Sequence, residues 1–475
     1  MITELRLLPP LAIGRLGSAE EPLVAYDLVV SPEDPLDYRQ IVPATTFEVD
    51  VNSGEIVRTY VPDSVRFKDA KKRIYPVAPF IEVFAVLDSS PEDLVPVTPE
   101  LLAAEGLSLE AVTWEVEVAN NKAYRRTEDV GDKITASIRL QENYARTPLE
   151  GTGPNLLAGR TLPLGHIQVI RPTKEEPNLR LRFTPAKGLV YGASPTRMTG
   201  TGKAEADPVV VGEGWDRIIY DAKKGKWLGY ADPSDSPVTT NPGSIYAGYG
   251  DADGLQHSWG YLDDECDGYV RVTLKRADGA CLVAVSHICA GPPTFAPDTL
   301  PVRVISDELE QIMLGPKVEE EEISIDEAED IVRRSLETIR LLNTTVMNGN
   351  PVYGRQRVAS TMSAQDANDY HRDYEPIAAA AIVDNLALQQ LHRRVFSTLS
   401  SGTAAWFGEV LRRPEEIGDL TSNGRRKMPA MMRGADARAL TLTRRQIDIV
   451  TRAAAKAMFR VDPAKHEGEQ NEREA

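Results

Sequence analysis

The stretch from His257 to Val272 holds the side chains of this chain best suited to chemistry. It reads HSWGYLDDECDGYVRV and places three aspartates, a glutamate and a cysteine within five positions. Carboxylates at this density could bind a cation, act as an acid and a base, or only form a turn. A calcium loop needs alternating ligands and a distant glutamate, whereas Asp263 and Asp264 are adjacent and no glutamate closes the pattern after Gly268. The pattern therefore favours a hairpin corner.

The acidic segment 227–270 leaves a metal site open as a weaker alternative. It contains no lysine or arginine, and its abundant glycine, proline, serine and aspartate predict a long irregular loop. The ligands to test for a metal in this loop are Asp251, Asp253, Asp263, Asp264 and Asp267.

No common catalytic motif appears elsewhere in the sequence. There is no phosphate-binding loop, no dinucleotide-binding glycine motif, no H-E-x-x-H and no C-x-x-C. Cys281, His287 and Cys289 could be arranged into a zinc site, but they alternate with apolar residues and a fourth ligand is not evident. We therefore expect the two thiols to be buried on a core strand.

The composition excludes several classes of partner. The 475-residue chain has a net charge of −17, so nucleic acid and anionic lipid would both repel it. No apolar run approaches about 20 residues, so we expect no membrane span. Charged residues interrupt the N-terminal apolar stretches, and the three cysteines are too few for a disulfide framework. These features predict a reduced, cytoplasmic protein.

The elements that must position these residues are strands in the first two thirds of the chain. Residues 45–61 alternate apolar and polar side chains around Asn-Ser-Gly, which predicts a hairpin, and residues 270–288 form a second one around Ala-Asp-Gly. In Ala111–Asn120, Val112, Trp114, Val116 and Val118 share one face of a strand. We therefore predict a β-rich domain over residues 1–315.

Helical periodicity dominates the last third. The run Glu319–Glu322 indicates a solvated linker, and Ser324 with Glu327 forms a capping box for a helix. A second helix is predicted over Pro376–Gly402, and a third begins at the capping box of Thr443 with Gln446. We predict a helical domain over residues 323–460 and a disordered tail over 461–475. The fold class is thus α+β, with a large β-rich N-terminal part and a mainly helical C-terminal part.

Seven short stretches, read in order, resemble the motifs of one family. LAIGRLGS resembles an Ile-Ala-Arg-x-Gly opening, and VTWEVEVANNKAYRR resembles a Trp-x-Val-x-x-Ala-Asn-x-Lys-Ala strand. WGYLDDECDGYVRVTL resembles a Trp-x-Asp-Asp-x-x-Asp-Gly-Pro-Val turn, and GPPTFAPD resembles Pro-Pro-x-Phe-Ala-Pro. Near the end, VLRRPEE, KMPAMMRG and LTLTRRQIDIV resemble a Leu-Arg-x-Pro segment, a Met-Pro-x-x-x-Gly-Asp loop and a Thr-x-x-Gln helix.

This order of motifs resembles the LodA-like family, the lysine ε-oxidases and glycine oxidases that use cysteine tryptophylquinone. The resemblance implies a structural role for the signature residues Arg15, Gly17, Trp114, Asn120, Lys122, Asp263, Asp264, Asp267, Gly268, Pro292, Pro293, Met428, Pro429 and Gln446. The chain departs from the family at Cys266, which replaces a small residue, and at Tyr269, which replaces a proline.

The resemblance also implies a chemistry, and a reason to expect its absence. Family enzymes link a tryptophan-derived quinone to a cysteine and oxidatively deaminate primary amines of amino acids, releasing hydrogen peroxide. Their cofactor cysteine and tryptophan follow the Thr-x-x-Gln helix, where this sequence has neither residue. We therefore expect no quinone in this chain and no assignable catalytic residue.

Three roles remain open at this stage. The first is a scaffold or accessory subunit, acting with a protein partner or as a homo-oligomer. The second is the large subunit of a split quinoprotein oxidase whose cofactor segment comes from a companion chain, with a flavoprotein as its maturation partner. The third is a new site in the acidic loop. Fold likeness by itself does not establish activity.

Overall fold

The computed structural model describes two compact units, each discussed separately. One comprises Met1–Ala25 with Pro43–Thr294, and the other comprises Tyr26–Val42 with Phe295–Ala475. The described residues are 1–30, 39–198, 201–212, 215–225, 227, 248–250, 256–258, 260–293, 300–338, 409–417, 419, 421, 423–424, 427–429 and 441–458.

The described strands are numbered in chain order. They are β1 Ile2–Leu8, β2 Leu11–Arg15, β3 Tyr26–Val29, β4 Gln40–Pro43, β5 Thr46–Val49, β6 Ile56–Tyr60, β7 Phe80–Leu87, β8 Ser90–Pro96, β9 Val112–Asn120, β10 Ile134–Leu140, β11 Thr147–Gly151, β12 Leu162–Ile170, β13 Arg180–Thr184, β14 Val190–Tyr191, β15 Thr196–Met198, β16 Ala204–Ala206, β17 Val211–Gly212, β18 Trp215–Asp216, β19 Gly248–Gly250, β20 Gln256–Ser258, β21 Leu262–Asp263, β22 Cys266–Lys275 and β23 Cys281–Gly291.

Two sheets organise the first unit. One has the order β1-β7-β13-β12-β11, with β8 also paired to β7, and the other has the order β10-β9-β22-β23-β2. All pairings in the second sheet are antiparallel except that of β2 with β23. One hydrophobic cluster takes side chains from both sheets, including Ile81 of β7 and Val116 of β9. The inner faces of the two sheets therefore share a core.

The alternating patterns in the sequence form the strands they predict. On β9, Val112, Trp114, Val116 and Val118 are all buried. The hairpins predicted around Asn-Ser-Gly and Ala-Asp-Gly are the pairs β5–β6 and β22–β23. Because successive side chains of a strand point to opposite faces, alternation fixes which residues enter the core.

Two sequence expectations need correction in this unit. Cys281 is exposed and Cys289 only half-buried, because both share a face of β23 with the exposed His287, opposite the buried Ala284. In addition, the segment 227–270 is not irregular throughout: β19 pairs with β20, and β21 pairs with β14.

The described helices lie mainly towards the C-terminus. They are α1 Pro99–Ala104, α2 Tyr124–Thr127, α3 Ile305–Leu314, α4 Ile325–Glu337 and α5 Arg444–Met458. Helical 3-10 turns occur at Leu109–Ala111, Val130–Asp132, Glu320–Glu322 and Pro414–Glu416. The described chain is thus sheet-rich, with few helices. None of the helices among the described residues is long and apolar enough to cross a membrane.

The second unit has its own core. α4 and α5 contribute Ile331, Val332, Val450 and Ala453 to one hydrophobic cluster. At the start of α5, the Thr443 hydroxyl accepts from the Gln446 amide, and the Gln446 side chain accepts from the Thr443 amide at 2.8 Å, which is the expected reciprocal cap. The helix predicted over 376–402 and the tail over 461–475 lie outside the described residues.

Candidate functional site

The acidic turn separates two adjacent aspartates. Asp263 ends β21, which pairs with β14, and Cys266 begins β22. In extended backbone, consecutive side chains point in opposite directions. Asp263 therefore contacts one set of partners and Asp264 contacts another.

The Asp263 side is a closed polar network that joins two signature motifs. The Lys122 ammonium forms ion pairs with both Asp263 and Glu265. The Asn120 amide donates to the backbone carbonyls of Asp263 and Glu265, at 2.9 Å each. The Asn120 carbonyl oxygen in turn accepts from the Lys122 backbone amide at 3.1 Å. These four residues satisfy one another's hydrogen bonds, and we call them the signature network.

Electrostatics in the signature network favour the charged lysine. Burial by itself would lower the pKa of Lys122, but the two carboxylates outweigh burial and raise it. The pKa of Glu265 is also raised, first by burial and then by the neighbouring Asp263, although Lys122 opposes both. Lys122 is therefore a fixed cation that holds two carboxylates together.

The Asp264 side is buried and incompletely paired. Asp264 is only 1 % exposed, and its Oδ2 accepts from the Leu189 amide at 3.0 Å. Its Oδ1 has no hydrogen-bond partner among the described residues. Burial raises the pKa of Asp264 to about 7, although the backbone amides of Leu189, Asp264 itself and Gly188 oppose that shift. A carboxyl in this state exchanges its proton near neutral pH.

Asp264 lines a cleft of about 680 Å³, which we call the Asp264 cleft. Its polar walls include Arg146, His166, Lys187 and Tyr191. Burial lowers the pKa of His166, and the neighbouring Arg146 lowers it further. Burial likewise lowers the pKa of Arg146 and raises that of Tyr191. An acid that titrates near neutral pH therefore shares the cleft with basic side chains.

Two signature glycines mark places where backbones touch. A Cβ on Gly268 would lie 1.9 Å from the Glu117 carbonyl oxygen on the neighbouring β9. A Cβ on Gly17 would lie 2.4 Å from the backbone nitrogen of Pro76. Both contacts are far shorter than a carbon can tolerate, so only glycine fits at these two positions.

The remaining signature residues of the first unit have separate positions. Trp114 is buried in the core, and Arg15 donates to the Pro292 carbonyl at 3.4 Å. Pro293 follows Pro292 beyond the end of β23. Asp267 is exposed and lies 3.7 Å from Arg125. None of these five signature residues lines the Asp264 cleft.

The C-terminal signature residues form a buried cluster within the second unit. Arg412 is fully buried and donates to the backbone carbonyls of Gly424, Lys427 and Pro429. Its amide donates to the carbonyl of Met428 at 2.6 Å. Gln446 caps α5 and reaches the Val302 carbonyl at 3.5 Å. We call Arg412 and its carbonyl partners the Arg412 cluster.

The carboxylates considered as metal ligands point to different partners. Asp263 pairs with Lys122, Asp264 accepts from Leu189, and Asp267 lies near Arg125. Within the described part of the chain, no group of three or more His, Cys, Asp or Glu side chains could hold a metal. Asp251 and Asp253 lie outside it, so a metal site in the acidic loop stays a prediction.

Sequence reasoning missed the basic residues of the Asp264 cleft. Arg146 precedes β11, His166 lies on β12, and Lys187 follows β13. No spacing connects them, because three strands of one sheet and the turns between them bring them together. The only signal in the sequence was Asp264 itself.

Comparison with known proteins gave structural neighbours only. No family model matches the chain, and no curated protein matches it. Two structures of the L-Lys ε-oxidase from Marinomonas mediterranea are similar to it at 14 % identity, with TM-scores of 0.48 and 0.46 and 95 % of this chain covered. A third, the Schiff base intermediate of that enzyme with L-Lys, has 13 % identity, a TM-score of 0.44 and 96 % coverage. This chain covers 61 %, 60 % and 61 % of those three chains, respectively, about three fifths of their length.

Proposed function

We propose that this chain is a LodA-like protein that acts as a scaffold or accessory subunit and carries no quinone of its own. It would act with a protein partner or as a homo-oligomer. The observation that carries this proposal is the signature network. Asn120, Lys122, Asp263 and Glu265 bind one another, so these residues hold separate strands and turns together.

The geometry of the thiols supports the same proposal. A cysteine–tryptophan thioether needs a sulfur in bonding contact with an indole ring. Trp114 pairs with Val272 on β22. Cys266 begins that strand six residues before Val272, so it lies about 20 Å from the Trp114 position at strand spacing. Cys281 is exposed whereas Trp114 is buried, and Cys289 pairs with Asp267, at the far end of β22. These thiols do not fit a quinone built on Trp114.

The purified chain provides the test. We expect no hydrogen peroxide when it is mixed with L-lysine, glycine or a primary-amine panel, and no redox-cycling quinone stain on a gel. Peptide mass spectrometry should recover Cys266, Cys281 and Cys289 without an indole adduct. Peroxide produced by the isolated chain, or a thioether at any of the three, would overturn the proposal.

The second candidate is the large subunit of a split quinoprotein oxidase that deaminates amines with release of hydrogen peroxide. The Arg412 cluster favours it, because the motifs that precede the cofactor segment in the family are kept here in a buried, hydrogen-bonded arrangement. A companion polypeptide bearing a cysteine, a tryptophan and an acidic residue would then supply the quinone, with a flavoprotein maturase where needed.

Co-expression separates the two candidates. The chain is produced with a short companion encoded beside it, and the pair is assayed for amine-dependent peroxide. Activity only in the pair supports the split enzyme. A stable pair without peroxide or quinone stain supports the accessory role. An Arg412→Met variant, which removes the hydrogen-bonding side chain of the cluster, should weaken the pair if the companion binds the second unit.

A further inference from the structure

The Asp264 cleft has the size and lining of a small-molecule site, and the proposed function leaves it unused. Its volume of about 680 Å³ lies within the range of ligand pockets, which is about 300–1,000 Å³. Its apolar walls are Ala19, Val51, Pro76, Pro148, Pro163, Pro185, Ala186 and Leu189. A mostly apolar cleft with a few converging polar groups is the usual form of such a site.

The cleft of this acidic protein carries two basic side chains, Arg146 and Lys187, beside Glu20, Glu21 and Asp264. Arg146 and Lys187 line the cleft, although the chain as a whole has a net charge of −17. Burial lowers the pKa of Arg182 to about 10, and the positive charge of Arg146 lowers it further. The Nε atoms of both arginines are buried without a hydrogen-bond partner among the described residues. Buried donors of this kind favour an anionic acceptor.

The acids near Arg146 differ in how they are placed. Glu21 is exposed and is the carboxylate that acts on both Arg146 and Arg182. Glu20, also on the cleft, is paired with Arg73 at 3.4 Å. Because burial raises its pKa to about 7, Asp264 is mostly neutral only below that pH, where it has a proton to donate.

We propose that the Asp264 cleft binds a small carboxylate, with Arg146 contacting the carboxylate group, neutral Asp264 donating a hydrogen bond, and the ligand's apolar body packing on the proline-rich walls. The planar guanidinium suits a planar carboxylate, and the apolar walls favour an organic body over a bare inorganic anion. An ammonium ligand at the same position would face the Arg146 guanidinium and be repelled. The inference does not depend on the proposed function.

The first experiment identifies the class of ligand with three aromatic probes of similar shape and one inorganic anion. Benzoate, benzylammonium, benzyl alcohol and inorganic phosphate are titrated into the full chain at pH 6 by calorimetry. Benzoate should bind at least about tenfold tighter than each of the others, since charge sign and apolar contact both favour it. Equal or tighter binding of benzylammonium, or of phosphate, would overturn the assignment of a carboxylate.

The second experiment uses two substitutions with opposite expected effects. Arg146→Gln should weaken benzoate binding by about tenfold or more, because the charged donor is lost. Asp264→Asn should strengthen binding at pH 8 by about tenfold, because an ionised carboxylate is replaced by a neutral donor of the same shape. Arg125→Gln, an exposed residue outside the cleft, is the matched control and should leave binding unchanged.

The pH dependence tests the role of Asp264 directly. The titratable groups nearest to it are Asp263, which is paired with Lys122, and Tyr191 and Cys266, whose pKa values burial raises. Across the cleft stand Glu20, Glu21, Lys187 and His166, and burial lowers the pKa of His166. Benzoate affinity of the native chain should fall between pH 6 and pH 8, and that of Asp264→Asn should stay nearly flat.

Two results from the substitutions would also overturn the inference. One is unchanged benzoate binding in a folded Arg146→Gln chain. The other is weaker binding in Asp264→Asn at pH 8, since that sign is expected only if Asp264 binds as a carboxylate to a cationic group. Circular dichroism of each variant confirms that it is folded, so a loss of binding can be assigned to the cleft.

Discussion

The two sides of the acidic turn differ in how their carboxylates are satisfied. Asp263 faces a lysine and an asparagine that complete its hydrogen bonds, whereas Asp264, one residue later, is buried with one oxygen unpartnered among the described residues. A buried charge is stable when it is paired, and an unpaired carboxyl instead keeps its proton. The signature network therefore stabilises the fold, and the Asp264 cleft retains a group that can respond to a ligand or to pH.

The largest expected effect comes from Gly268, beside the signature network. In Gly268→Ala the new Cβ would lie 1.9 Å from the Glu117 carbonyl, and a backbone atom cannot rotate away. We expect a loss of at least about 4 kcal/mol in the free energy of unfolding, or failure to fold. Urea denaturation measures it. Gly212→Ala, where the nearest atom is 3.6 Å away, is the control, and equal losses in both variants would contradict the close-contact explanation.

The second largest loss of stability is expected when the central cation of the signature network, Lys122, is removed. Lys122→Met leaves Asp263 and Glu265 side by side without their partner, so we expect a loss of about 3 kcal/mol at pH 7. The loss should shrink as the pH falls and both carboxyls become protonated. Lys275→Met, at the exposed end of β22, is the control. A loss that does not vary with pH would mean that packing of the lysine stem, not its charge, is what matters.

On the other side of the turn, a substitution of Asp264 is expected to raise the free energy of unfolding instead of lowering it. In the folded chain the pKa of Asp264 is about 7, above its ordinary value of 3.8. The stability contributed by the neutral carboxyl is therefore complete below pH 3.8 and is lost as the pH rises through 7. Asp264→Asn should therefore be more stable than the native chain by about 2 kcal/mol at pH 8 and nearly equal to it at pH 5. Thermal unfolding across this pH range checks it. Destabilisation at pH 8 would mean that the ionised carboxylate has a partner.

The smallest effect is expected at an exposed departure from the family motif. The Tyr269 hydroxyl donates to Glu117 at 2.8 Å on the exposed face of β22. Tyr269→Phe should cost about 0.5 kcal/mol or less, because water replaces the hydrogen bond. A loss above about 1.5 kcal/mol would show that this pair is as important as the buried network.

Local patterns made much of the fold predictable. Alternation gave the strands that became β9, β22 and β23, and the Thr443 and Gln446 pair predicted the start of α5. The same patterns were less reliable for the direction of individual side chains. The thiol of Cys281 was expected to be buried and is exposed, because alternation leaves open which of the two faces of β23 packs on the core.

The candidate site was predictable only in part. The sequence identified the acidic turn and the signature residues around it, and it gave no sign that Arg146, His166 and Lys187 would share a cleft with Asp264. The sequence likewise gave no sign that the fold would bury Arg412 among backbone carbonyls. Such contacts join distant parts of the chain, so no local spacing reveals them.

The sequence by itself determined the strand-forming alternation, the helix caps and the acidic balance. Each of these follows from the chemistry of neighbouring residues. Only the tertiary structure decided that the Asp263 carboxylate forms an ion pair with a lysine, whereas the Asp264 carboxyl, among the described residues, accepts only from backbone. Lys122 is 141 residues from Asp263, and Leu189 is 75 residues from Asp264. The two side chains leave opposite faces of one extended turn, so each contacts the residues that the sheets place on its own face. Sheet topology decides which residues those are.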